Sequence, residues 1–132
     1  MTVLQDNVTP EIYGAGRFLS GDHDVNHCNE QGTLKAHAGA DYLPGTILGL
    51  ASSGADTGLL KPLDPAAVDG SQNFAGILWA YQKANAANKR VAYTARDVTV
   101  NANLLNYQVA VNAGQKAAIQ VQAAAADVIL RY

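Results

Sequence analysis

From Gly32 onward the sequence is a series of short apolar runs separated by Gly, Pro, Asn and Asp. Such punctuation writes a β-rich domain with tight turns, because each run has strand length and each breaker supplies a turn conformation. Thr33-Leu34-Lys35-Ala36 is the first short candidate strand. In Leu43-Pro44-Gly45-Thr46, Pro fixes φ at one turn position and Gly accepts positive φ at the next, which predicts a type II turn launching a strand over Thr46–Ala51. The cluster 52–58, Ser-Ser-Gly-Ala-Asp-Thr-Gly, then reverses the chain into Leu59-Leu60-Lys61, a hairpin with a longer loop. Pro62 ends that pairing or places it at a sheet edge. Phe74-Ala75-Gly76-Ile77-Leu78-Trp79-Ala80-Tyr81 is the strongest apolar run and is assigned to a central strand, with Phe74, Ile77, Leu78 and Trp79 in the core or between subunits.

The remaining elements follow from phase and capping. Val91, Tyr93 and Ala95 alternate onto one face, while Val98 and Val100 continue on even numbers. A bulge or corner near Arg96-Asp97 is needed if both sets face one core. Asn112 and Gln115 have the spacing of a capping box ahead of a predicted helix, Gln115–Ala126, built from helix formers. Val128–Tyr132, dominated by β-branched and aromatic residues, closes the chain as a strand.

Residues 1–30 differ from the rest. They collect Pro10, Gly14, Gly16 and Gly21 without sustained periodicity, and read as an extended arm preceding a β-rich domain over 31–132. A chain of 132 residues fits one such domain. Only 15% of it is charged, against roughly 25% in an ordinary soluble protein, so part of the surface is expected to be covered by self-association. The nine Lys and Arg residues are scattered and the net charge is −2, which argues against a nucleic-acid partner. Cys28 is the only cysteine, so no internal disulfide forms and intracellular assembly is expected. The segment Met1–Asn7 lacks a basic and an apolar leader region, and no apolar stretch approaches the roughly 18 residues of a membrane span. A soluble product without a membrane partner is expected.

Four pieces, in order and spacing, carry a resemblance: Phe18-Leu19-Ser20-Gly21-Asp22, Leu43-Pro44-Gly45-Thr46-Ile47-Leu48-Gly49, Phe74-Ala75-Gly76-Ile77-Leu78, and Ala95-Arg96-Asp97-Val98-Thr99-Val100 leading into Leu104. With the helix and terminal strand behind them, the sequence resembles the head decoration proteins of lambda-like phages from about Gly16 to the end. The resemblance implies a mainly β (α+β) single domain of β-clip or β-tulip type, with an extended N-terminal arm and one C-terminal helix. It further implies a homotrimer, made in the host cytoplasm, that binds the major capsid protein on the outer capsid surface at three-fold and quasi-three-fold sites and stabilises the shell. It carries no catalytic residues and no cofactor. The capsid-binding arm would be Thr2–Ala15, in which Val3, Leu4, Val8, Ile12 and Tyr13 supply apolar anchors while Pro10 and Gly14-Ala15-Gly16 discourage a continuous helix. The sequence departs from the family pattern most in that arm and in His23–Cys28.

Among the residues with chemistry, His23, His27 and Cys28 form the one cluster of potential zinc ligands, with the two histidines at i, i+4. No helix pattern supports that segment and no second ligand pair exists, so a polar surface loop is the preferred reading. A small metal-binding protein using His23, His27 and Cys28 is one alternative function; a tail or fibre protein with a similar β domain is another. Cys28 lacks the base and oxyanion site of a nucleophile. Gly14-Ala15-Gly16 and Gly45–Gly49 lack the Lys-Ser/Thr of a phosphate loop, and Ser52-Ser53 lacks a nucleophile elbow. The protein is expected not to be an enzyme.

Overall fold

The described residues of the computed structural model are 14–21 and 23–132. They form α1 (Val25–Cys28), β1 (Asn29–Leu34), β2 (Ile47–Leu50), β3 (Leu59–Pro62), β4 (Phe74–Leu78), β5 (Lys89–Thr94), β6 (Val98–Asn101), a 3-10 turn (Ala102–Leu104), α2 (Ala113–Ala125) and β7 (Val128–Arg131). This is the mainly β fold with a C-terminal helix that the punctuation of the sequence predicts.

β1 to β5 close into a barrel in the order β1-β3-β2-β4-β5. β1 runs antiparallel to β5 from Asn29↔Thr94 to Leu34↔Lys89 and parallel to β3 through Thr33↔Leu59 and Leu34↔Leu60. β2 lies between β3 and β4, antiparallel to both, and β4 meets β5 through Ile77↔Thr94 and Leu78↔Tyr93. Each strand contributes one fully or nearly buried side chain to the interior: Leu34, Leu60, Leu48, Leu78 and Val91. A barrel this small is filled by side chains and holds no channel. The turn at Leu43–Thr46 forms as expected, with Gly45 at φ +95° and the Thr46 N–H donating to the Leu43 carbonyl at 3.2 Å. The predicted hairpin also forms, since the Ala51 N–H donates to the Leu59 carbonyl and the Gly58 N–H to the Ala51 carbonyl.

A second layer covers one wall of the barrel. β6 and β7 are parallel, in register from Val98↔Val128 to Asn101↔Arg131, and parallel neighbours require a crossover. α2 supplies it. Its capping box is complete, with the Gln115 N–H donating to Asn112 Oδ1 at 2.8 Å and the Asn112 N–H to Gln115 Oε1 at 2.9 Å. The box makes Asn112 the cap, so the helix starts at Ala113, two residues before the predicted Gln115, and Asp127 at φ +59° follows its end. Ile119 and Ala123 face inward. Ala123 joins Ile77, Val98, Val100, Val128 and Leu130 in the core between the layers, while Ile119 meets Ile47 and Leu63.

The corner expected at Arg96-Asp97 is present, with Asp97 at φ +53°. It serves a different purpose from returning both valine sets to one core. Val91 fills the barrel, whereas Val98 and Val100 lie in the core between layers.

Of the segment read as an arm, residues 1–13 and Asp22 lie outside the described residues. The described part of 14–30 runs along the second layer. Phe18 is fully buried, the Ser20 N–H donates to the Thr99 carbonyl at 2.9 Å, and the Asn101 N–H donates to the Phe18 carbonyl at 2.8 Å. β1 begins at Asn29, four residues before the predicted Thr33, because pairing with β5 recruits the polar residues Asn29, Glu30 and Gln31.

Two substitutions test this packing. Leu78→Ala should lower stability by about 2–5 kcal/mol in urea unfolding, the usual cost of such a cavity in a filled core. Ala124→Lys, on the exposed side of α2, should shift stability by no more than about 0.5 kcal/mol, whereas Ala123→Lys buries an unpaired ammonium and should prevent folding.

Candidate functional site

The His23–Cys28 cluster does not converge. The His23 Nε2 lies 2.8 Å from the Ser20 carbonyl, His27 pairs with the Asp97 carboxylate, and Cys28 is buried beneath them. Burial pushes the Cys28 thiol above its ordinary pKa, the opposite of an activated nucleophile. No group of three or more His, Cys, Asp or Glu side chains is placed to hold a metal among the described residues. Ser52 lies in an exposed loop, its hydroxyl donating to the Asp69 carbonyl.

The four apolar residues singled out in β4 and beyond it divide among different surroundings. Leu78 is inside the barrel, Ile77 is between the layers, and Phe74 is half-buried beside Ile119 and Leu105. Trp79 is half-buried and meets Phe18 edge-on, with ring centroids 6.1 Å apart. Gly16 sits against the indole, where a Cβ would come within 2.3 Å of Cη2, and its N–H donates to the Trp79 carbonyl at 2.9 Å. Trp79 thus anchors the 14–20 segment to β4. The arm residues Val3, Leu4, Val8, Pro10, Ile12 and Tyr13 lie outside the described residues.

The densest polar arrangement is one the sequence did not reveal. Lys61 on β3 reaches Asp69 at 2.8 Å and Asp56 at 3.3 Å, and Lys35 reaches Asp56 at 2.7 Å. Asp69 also accepts from the Ser71 hydroxyl at 2.6 Å and the Ser71 N–H at 3.0 Å. These ion pairs tie two long loops to one strand, and their partners are 5 to 21 residues apart in the chain. No local motif marks such a spacing. Beside it, Lys35, His37, Tyr42, Lys61, Pro62 and Gln108 border an open cavity of 410 Å³, in which His37 stacks on Tyr42 with ring centroids 4.1 Å apart. The cavity's described lining contains no nucleophile–base pair, and both of its lysines, Lys35 and Lys61, are occupied by carboxylates.

A model of the family described as bacteriophage lambda head decoration protein D matches residues 9–128. The chain belongs to that family. No curated protein matches it. The protein is therefore a phage capsid decoration protein, a structural component of the virion whose family is not one of enzymes. Lys35, Lys61, Asp56 and Asp69 hold its loops in place. What the decoration protein offers outward is surface. Its exposed apolar side chains include Val68, Val121 and Tyr132. No helix among the described residues is long and apolar enough to cross a membrane.

The ion-pair network gives this decoration protein a defined acid response. The Lys61 ammonium, followed by the Ser71 hydroxyl and N–H, holds the Asp69 carboxyl far below its usual range, and Lys35 does the same more mildly for Asp56. Folded-state pKa values below the unfolded ones mean that the native state binds fewer protons. The resulting stability is full above the unfolded carboxylate range of about 4 and is lost as pH falls below it. Urea midpoints should accordingly be flat from pH 7 to about pH 5 and drop below about pH 4. Asp69→Asn should lower the midpoint at pH 7 and weaken the acid dependence; an unaltered acid profile would show that Asp69 is not part of it.

Proposed function

We propose that this decoration protein binds the outer face of the capsid as a homotrimer at three-fold and quasi-three-fold positions, and that it stabilises the shell against internal pressure. The family match over residues 9–128 carries the reading. Synthesis in the host cytoplasm and addition to the assembled shell accompany it. The body, a barrel with its second layer, is the rigid platform, and Thr2–Ala15 is the capsid-engaging arm.

The mechanism is avidity. Val3, Leu4, Val8, Ile12 and Tyr13 supply alternate apolar anchors, and an extended segment can add to a sheet edge of the major capsid protein, where main-chain hydrogen bonds give affinity and side chains give fit. Ordering each arm residue costs about 1–2 kcal/mol of backbone entropy, so one arm alone binds weakly. Three arms on one trimer engage together, because the second and third events become intramolecular. Clamping neighbouring capsomers in this way resists their separation.

Light scattering of the purified protein should give three times the 13.8 kDa chain mass. Deleting Thr2–Tyr13 should leave this mass and the melting temperature of the body nearly unchanged while abolishing sedimentation with emptied shells. Full shell binding by the truncated protein would move the decisive contacts to the body.

A further inference from the structure

Two exposed groups of charged side chains, of opposite sign, lie at opposite ends of β5. At its start lie Lys83, Lys89 and Arg90, all exposed, in a 82–90 stretch that contains no carboxylate. Lys83 and Lys89 have no ion-pair partner among the described residues, and Arg90 donates only to the Gln31 amide oxygen. The loop is held in place: the His37 N–H donates to the Asn85 carbonyl and the Ala36 N–H to Asn88 Oδ1, both at 2.9 Å. Asp41, which feels the charge of Lys83, is occupied by the Tyr81 hydroxyl and the Ala84 N–H.

At the other end, about 17 Å along the six-residue strand, the chain turns through Arg96-Asp97 against α1 and the start of β7. The Ala95 and Arg96 N–H groups donate to the Cys28 carbonyl, and the Val98 N–H donates to the Asp127 carbonyl. This brings together Asp24, Glu30, Asp97 and Asp127, all exposed, against the single guanidinium of Arg96, which pairs with Glu30. His27 on Asp97 is the other basic group there.

We infer that copies of this chain associate head to tail, the Lys83/Lys89/Arg90 end of one subunit seating against the Asp24/Glu30/Asp97/Asp127 end of the next. Two different patches on one chain that attract each other make a heterologous contact, and a heterologous contact closes into a ring when its rotation allows. A three-membered ring cannot be built from isologous contacts alone, so the contact of the proposed trimer joins two different patches. The inference rests on the homotrimer of the proposed function and assigns the surfaces that build it. Complementary charge fixes the register of such a contact and rejects wrong orientations, while the apolar Val25 of α1, exposed beside the acidic patch, supplies a desolvated contact.

The experiment measures the mass of full-length variants by light scattering and their folding by thermal unfolding. Wild type should be trimeric at low salt, and its association should weaken roughly tenfold or more between 0.05 M and 0.5 M salt. Reversing the cationic end with K83E, K89E and R90E should give a folded monomer. Removing the negative excess of the acidic end with D24N, E30K and D127N should do the same; Asn preserves the α1 cap at 24 and tolerates the left-handed backbone at 127. Combining all six substitutions should restore the trimer, a rescue that a folding defect cannot produce. A trimer unaffected by the substitutions at either end overturns the inference while leaving the homotrimer intact. So does a cationic-end variant that stays trimeric but no longer binds shells, which would assign that end to the capsid. So does a folded six-substitution variant that stays monomeric. A wild type that is monomeric at every salt concentration removes the homotrimer itself and this contact with it.

Discussion

The structure depends on β4 serving as the wall between two cores. Adjacent residues of a strand point to opposite sides, and here both sides are apolar: Leu78 closes the barrel interior while Ile77 faces the layer of β6, α2 and β7. Neither core is large. The barrel interior holds five buried side chains and could not by itself organise a chain of this length. Sharing a wall lets burial in one layer support burial in the other. Glycine at 76 is part of the same constraint, since a Cβ there would come within 2.7 Å of the Thr94 carbonyl of β5.

Closure of the barrel has a second consequence. An open five-stranded sheet would leave two rows of unpaired backbone groups, which template uncontrolled pairing with other chains. In this protein β1 pairs with both β3 and β5, so the barrel has no edge. The far side of β6 is taken up by the 18–20 segment, through the Leu19–Val100 bridge.

The placement of polar chemistry explains why a decoration protein needs no active site to be a demanding fold. Lys35 and Lys61 line an open cavity, yet each is committed to the carboxylates of Asp56 or Asp69. Tyr107 is pushed up to about 12 by burial, with the Lys116 ammonium 5.5 Å from its ring centroid, and so remains a neutral packing group at physiological pH. Stiff loops on a closed barrel make the body of the domain a rigid unit.

Local physics in the sequence was enough to determine the strands, the type II turn at Pro44-Gly45, the capping box at Asn112 and Gln115, and the corner at Asp97, because each is decided by residues within a few positions of one another. The family was legible for a related reason, since its pattern is the order of those elements. Tertiary structure alone decided the rest. Alternation could place Val91 and Val98 on faces but could not say that the faces belong to different cores, because that depends on whether the barrel closes before the corner. The polar start of β1 was illegible, as Asn29 and Glu30 become strand only through hydrogen bonds to β5, more than sixty positions away. The burial of Phe18 against Trp79 and the Lys35–Asp56 ion pair likewise join residues distant in the chain, and the charged groups at the two ends of β5 emerge only when 24, 30, 97 and 127 are brought together in space.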